Sequence, residues 1–135
     1  EVAPHMKERA ENLGLAMCRP SWSPNTMLVH EATAYARESG LDDEFHHAAA
    51  GAFWTTGVDL SDMAVLQQLA EKAGLDWKEL SPRLDSRQYR QQVLDEYQAA
   101  RDQGVSGTPT YLIDGELIFG DVSLDDLIAA LKKAG

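Results

Sequence analysis

Apolar residues recur at every third or fourth position through most of the first hundred residues, which is the spacing of one face of an amphipathic helix. Glycines follow several of these stretches, where a helix commonly ends in the left-handed conformation. Asp, Asn and Ser residues precede others, where their side chains can cap the first turn. We therefore predict helices over residues 4–12, 25–39, 42–55, 61–73, 76–84 and 86–103.

The spacing changes after Gly104. Residues 110–113 and 116–119 are rich in β-branched, aromatic and other apolar residues, which favours strands. The dipeptide Asp114-Gly115 links them, and this pair favours a two-residue turn of type I′. Ser123 then precedes an apolar stripe at helical spacing, so we predict that its hydroxyl caps a last helix.

The order of these elements, many helices followed by strand, strand and helix, predicts an α+β fold. A two-stranded hairpin with one helix makes a poor core by itself. We therefore expect either that Leu15 to Cys18 form a further short strand or that more strands lie outside these 135 residues. The predicted organisation is a connecting helix and short strand in residues 1–23, a helical subdomain in residues 24–103 and a ββα unit in residues 104–135.

The composition narrows the function classes. Twelve Lys and Arg against 22 Asp and Glu give a formal net charge of -10, so we expect no nucleic-acid partner. No apolar run reaches the ~18–20 residues that a membrane span needs. The first residues also lack the basic and apolar regions of a secretory signal. We expect a cytoplasmic protein that does not bind a membrane.

Cys18 is the single cysteine of the sequence. A lone cysteine excludes an internal disulfide and an internal Cys-x-x-Cys pair. The four histidines lack ligand-like spacing around it, so we expect no metal site, and no motif predicts a resident cofactor. The expected role of Cys18 is that of a small, half-buried apolar residue.

The segment from Gly104 to Gly115 resembles the cis-proline loop and hairpin of the DsbA-like thioredoxin-fold oxidoreductases. Pro24-Asn25-Thr26 with His30, and residues 53–62, look like the helical insertion of the FrnE-type branch, which is related to 2-hydroxychromene-2-carboxylate isomerases. This ordered resemblance covers nearly the whole chain. It implies a DsbA-type thioredoxin-like fold, in which a helical domain is inserted between a βαβ half and a C-terminal ββα half.

The resemblance also implies thiol–disulfide exchange. Members of the family carry Cys-x-x-Cys at the N-terminus of the first helix, where the helix dipole lowers the pKa of a thiol and so makes a thiolate nucleophile. These 135 residues hold no such pair, and Cys18 falls in the segment after the missing βαβ half. We therefore expect a fragment or truncated member of a bacterial DsbA-family oxidoreductase that is inactive alone.

The resemblance implies substrate-binding residues but no catalytic residue in this chain. Gly107, Thr108 and Pro109 would present backbone amide and carbonyl groups beside a cis Thr108–Pro109 bond. The implied partner is a protein or small molecule that carries a disulfide or a thiol. Asn25 would face the same cleft, although a helix cap after a proline turn is the simpler interpretation of this residue.

Two other functions fit the same residues. Kappa-like relatives replace the cysteine pair with a serine that activates glutathione, and Asn25-Thr26 also suits this glutathione-dependent isomerase or transferase class. A non-catalytic binding module would instead hold an extended peptide by strand addition at the loop. Missing strands would leave a sheet edge and an apolar face uncovered, so we expect a homo-oligomer or a missing N-terminal segment.

Overall fold

A computed structural model of the chain describes residues 2–18, 20 and 23–135. The predicted helices and the predicted hairpin are confirmed within these residues, with ends that differ by a few positions. The elements are α1 (Pro4–Asn12), α2 (Met27–Arg37), α3 (Asp42–Thr56), α4 (Met63–Lys72), α5 (Trp77–Asp85), α6 (Arg90–Asp102), β1 (Thr110–Ile113), β2 (Glu116–Phe119) and α7 (Leu124–Ala134).

The chain divides into two compact units, Glu1–Val93 and Leu94–Gly135, and the boundary falls within α6. The predicted division into three segments stays a prediction. None of the helices among the described residues combines the length and the apolar character that a membrane crossing requires.

The first unit is a cluster of helices in which α2, α3, α4 and α5 pack against one another. Their apolar faces meet at Phe45, Leu66 and Leu80, whose side chains are fully buried. Aspartate side chains cap two of these helices, as the sequence predicts. Asp62 accepts from the amide of the second residue of α4, and Asp76 accepts from the amide of the second residue of α5. Helical spacing and local caps therefore account for this unit.

The prediction of a short strand over Leu15 to Cys18 is wrong. No strand is assigned to these residues, and the amides at both ends donate to helix ends instead of a sheet. The amide of Leu15 donates to the carbonyl of Ala10 at 2.9 Å, in the turn that closes α1. The amide of Cys18 donates to the carbonyl of Trp54 at 2.6 Å, in the last turn of α3. Both carbonyls lie in the last turn of a helix, where acceptors remain available, and they take the amides that a strand would need for pairing.

The turn between α5 and α6 also departs from the helix predicted over residues 86–103, since α6 begins only at Arg90. Ser86 instead ends α5, and its hydroxyl donates to the carbonyl of Arg83 at 3.0 Å. Arg87 follows with a φ of 57°, in the left-handed region. Its amide donates to Leu84 and the amide of Gln88 donates to Arg83, which is the Schellman pattern. An arginine therefore holds a position that usually belongs to glycine.

The second unit contains an antiparallel hairpin in which Leu112 lies opposite Leu117. Asp114 and Gly115 have φ values of 48° and 83°, so both central residues of the turn are left-handed, as the predicted type I′ turn requires. The helix α7 packs against β1. The predicted cap is present as well, because the hydroxyl of Ser123 accepts from the third residue of α7 at 3.1 Å.

Candidate functional site

The loop before β1 begins where α6 ends. The amide of Gly104 donates to Arg101 and the amide of Val105 donates to Ala100, so a Schellman motif closes the helix. The guanidinium of Arg101 also donates to the carbonyl of Val105 at 3.1 Å. Gly104 has a φ of 93°, and a Cβ there would lie 3.1 Å from Leu117. The backbone conformation therefore favours glycine, and a Cβ would press on the side chain of Leu117.

Three contacts fix the far side of the loop. The peptide bond between Thr108 and Pro109 is cis. The hydroxyl of Thr110 donates to the carbonyl of Gly107 at 2.6 Å, and the amide of Gly120 donates to the carbonyl of Pro109 at 2.9 Å. The carbonyl of Gly107 therefore already accepts one hydrogen bond within the loop, and its role in binding a substrate stays a prediction.

The backbone of Thr108 lies between the two carbonyls that these contacts hold. Gly107, Thr108 and Pro109 are all exposed. In the described part of the chain, no hydrogen-bond partner is found for the amide or the carbonyl of Thr108. Each backbone amide and carbonyl is a strong hydrogen-bonding group. The loop thus presents the amide and the carbonyl of Thr108, while the carbonyls of the residues on either side, Gly107 and Pro109, each accept a hydrogen bond within the loop or hairpin.

Asn25 lies in the first unit, whereas the loop belongs to the second. The side-chain oxygen of Asn25 accepts from the amide of Met27 at 3.0 Å, at the first turn of α2. The hydroxyl of Thr26 lies 3.3 Å from Nε2 of His30. Thr26 takes the N-cap position of α2 without a side-chain cap hydrogen bond, so Asn25 supports the first turn from the residue before the cap. The role of Asn25 in binding substrate stays a prediction.

Cys18 is half-buried and unpaired. Its thiol lies 3.8 Å from the carbonyl of Phe53, to which it donates, and its amide is held by Trp54. A Cβ on Gly57 would lie 3.7 Å from the sulfur, so the thiol packs against the end of α3. Across residues 2–18, 20 and 23–135, no three His, Cys, Asp or Glu side chains are grouped to hold a metal ion.

A buried ion pair in the first unit was not predicted from the sequence. Glu31 has no exposed surface, and its Oε1 accepts from Nε and Nη2 of Arg90 at 3.0 and 2.8 Å. The other carboxylate oxygen has no hydrogen-bond partner among the described residues. A signal was available, because Glu31 follows Leu28 by three positions and precedes Tyr35 by four, which places it on the core face of α2.

A second polar cluster joins α2, α5 and the residue that precedes α6. The hydroxyl of Tyr89 donates to Glu38 at 2.7 Å and accepts from Arg83 at 3.0 Å. Burial raises the pKa of Tyr89, and the hydrogen bond to Glu38 raises it further. Burial likewise raises the pKa of Tyr35, whose ring lies 5.0 Å below the guanidinium of Arg83. The hydrogen bond to Tyr89 raises the pKa of Arg83.

Two comparisons with known proteins cover most of the chain. The family model of the DSBA-like thioredoxin domain matches residues 1–132. The uncharacterized protein YwbO of Bacillus subtilis (strain 168) is 30% identical over 122 residues, a match that covers 86% of this chain. The chain spans 60% of the length of YwbO.

Proposed function

Because the chain belongs to the family of DSBA-like thioredoxin domains, we propose that it forms the substrate-binding part of a thiol–disulfide oxidoreductase. Family membership establishes the predicted α+β, thioredoxin-like fold class. The observation that carries the functional proposal is Thr108, an exposed residue whose amide and carbonyl have no partner among the described residues. An extended peptide can pair with these two groups as an added strand would.

In this proposal the chain orients the substrate and does not itself exchange electrons. The hydroxyl of Thr110 and the amide of Gly120 hold the carbonyls on either side of Thr108. Two directional hydrogen bonds at Thr108 would fix the register of a bound peptide. A fixed register brings a substrate sulfur to one defined position, which lowers the entropic part of the barrier to attack.

The exchange reaction itself needs two thiols. A thiolate attacks one sulfur of a substrate disulfide, forms a mixed disulfide and releases the other sulfur as a thiolate; a second thiol then displaces the substrate and closes a new disulfide. This sequence contains Cys18 alone, and its thiol packs against α3. We therefore place the reactive pair in residues outside these 135, in agreement with the coverage of 60% of YwbO.

A reduction assay tests whether this chain binds the substrate while a cysteine pair outside it carries out the exchange. The 135-residue chain is mixed with a peptide disulfide and a dithiol reductant. The same mixture is made with the intact protein, which is the protein as it is naturally expressed. We expect the chain to give the rate of buffer alone and the intact protein to accelerate the exchange, with or without Cys18→Ser. An intact protein that does not accelerate exchange would refute the redox role. Turnover by the chain alone would refute the placement of the cysteine pair.

A second candidate is a peptide-binding module without redox turnover. It is favoured by the fact that the open groups of Thr108 are backbone groups, which need no cysteine in order to bind. Peptide binding combined with an intact protein that fails the reduction assay would select this candidate. Titration of the intact protein with reduced glutathione tests the glutathione-dependent isomerase or transferase, and a lack of binding would count against that alternative.

The hairpin supports a proposal about assembly. Leu112 and Phe119 lie on one face of the sheet, and they are 55% and 53% exposed. Apolar exposure of this kind fits coverage by another element of the intact protein or by a second copy of the chain. Light scattering distinguishes the two, because coverage by a second copy makes the mass of the intact protein increase with its concentration.

A further inference from the structure

A small pocket lies beside the loop, and all of its walls belong to the second unit. Its volume is about 220 Å³, and its lining is formed by Tyr97, Ala100 and Arg101 of α6 together with Val105, Ser106, Gly107 and Thr108. Sites for small molecules commonly have volumes of about 300–1,000 Å³. The pocket is therefore suited to one large side chain and not to a whole cofactor.

We propose that this pocket binds an apolar side chain of the same peptide that pairs with Thr108. The inference rests on the proposed function and adds a preference for one residue type in the substrate. Thr108 contributes both to the pocket wall and to the open backbone groups. Alternate side chains of an extended peptide point to the same side. A peptide paired with Thr108 can thus direct one side chain into the pocket without leaving its extended conformation.

Arg101 indicates which charge the peptide should carry next to the side chain that enters the pocket. Its guanidinium forms part of the pocket wall and donates to Val105. Among the described residues, no carboxylate lies within ion-pair distance of it. Arg101 is also the one Lys or Arg in the sequence between residues 91 and 131. The preferred ligand is accordingly an extended peptide with an aromatic or large aliphatic residue next to an acidic one.

Peptides that lack sulfur separate this subsite from the redox reaction. The labelled peptides have serine in place of cysteine. They carry either Phe or Ala at the position proposed to enter the pocket, and either Glu or Gln next to it. Fluorescence anisotropy with the intact protein measures their dissociation constants. We expect Phe to bind about tenfold more tightly than Ala, as burial of a large apolar side chain predicts. Glu should bind several-fold more tightly than Gln at low salt, and less so at high salt.

Two variants on adjacent positions of α6 provide matched controls. Ala100→Trp fills the pocket and should remove the preference for Phe over Ala. Ala99→Trp adds the same side chain at an exposed position outside the pocket lining and should keep the preference. Circular dichroism compares the helix content of the two variants. The preference for Phe over Ala is measured on the unmodified protein, so that result stands even if a variant fails to fold.

The outcomes separate the two levels of the proposal. The subsite is supported if the unmodified protein and Ala99→Trp prefer the Phe peptide and Ala100→Trp does not. Binding of every peptide with equal affinity would overturn the subsite and leave pairing at Thr108 in place. A lack of any peptide binding would overturn both, even if the reduction assay shows activity.

Discussion

The guanidinium of Arg90 donates two hydrogen bonds to one oxygen of Glu31, at 2.8 and 3.0 Å, although Glu31 is fully buried. Arg90 begins α6 and Glu31 lies in the middle of α2, so this pair fixes the start of α6 within the first unit. A buried carboxylate is costly without a partner, and one of its oxygens already has none among the described residues.

We predict that Arg90→Met lowers the free energy of unfolding by about 3 kcal/mol, because it leaves the charge of Glu31 unpaired in the core. Urea denaturation measures the change. Replacing both residues with Met should restore at least half of the loss, since no buried charge then remains. The exposed pair of Lys7 and Glu11 is the control, and Lys7→Ala should cost less than about 0.5 kcal/mol. If the Arg90→Met variant and the double variant of Arg90 and Glu31 lost the same free energy of unfolding, this interpretation would be contradicted.

Stability should fall as the pH rises above 10. Burial raises the pKa of Tyr89 above the ordinary tyrosine value of 10.0, so the unfolded chain loses this proton at a lower pH than the folded chain does. The contribution is complete below pH 10 and is lost as the pH rises through the folded pKa. Urea denaturation from neutral to alkaline pH tests this, and Tyr89→Phe should make the decline shallower. Tyr97→Phe, at a side chain that is 63% exposed, is the matched control.

Arg87→Gly should stabilise the protein by about 0.5–1 kcal/mol. The left-handed conformation of Arg87 is strained for a residue with a Cβ, and glycine adopts it at little cost. Arg87→Ala keeps the strain while removing the side chain, so it should leave stability nearly unchanged. Urea midpoints of the three proteins measure the effect. A glycine variant no more stable than the alanine variant would show that the backbone strain is not relieved.

Gly104→Ala should destabilise the second unit by about 1–2 kcal/mol and weaken peptide binding. The added Cβ would meet Leu117 at 3.1 Å, and alanine resists a φ of 93°. Gly51→Ala is the control, because this helical glycine has no heavy atom within 4 Å of an added Cβ. That variant should be neutral or stabilised by up to about 1 kcal/mol. Urea denaturation and anisotropy report the two effects separately.

Local chemistry explains which elements the sequence predicts well. Asp114-Gly115 determines the turn type from two residues, and Ser123 caps a helix that begins at the next residue. The strand predicted over Leu15 to Cys18 fails because strand pairing depends on distant partners, and here the carbonyl of Trp54 takes the amide of Cys18. Composition alone does not reveal such competition.

The candidate site was predicted only in part for the same reason. The resemblance drew attention to Gly107, Thr108 and Pro109, but it did not show that the hydroxyl of Thr110 occupies the carbonyl of Gly107. The pocket beside the loop was not predicted, since it forms only when the end of α6 turns back at Gly104. Side chains that meet through such a turn carry no shared pattern in the sequence.

The amide of Thr108 provides the most direct test of the proposed pairing. Hydrogen exchange at this amide is followed by NMR in the intact protein, without peptide and with a sulfur-free peptide at about ten times its dissociation constant. We predict fast exchange without peptide and exchange about tenfold slower with it, while the amide of Gly115, at the other end of the hairpin, is unchanged. Unchanged exchange at Thr108 while the peptide is bound would contradict the claim that its backbone holds the substrate.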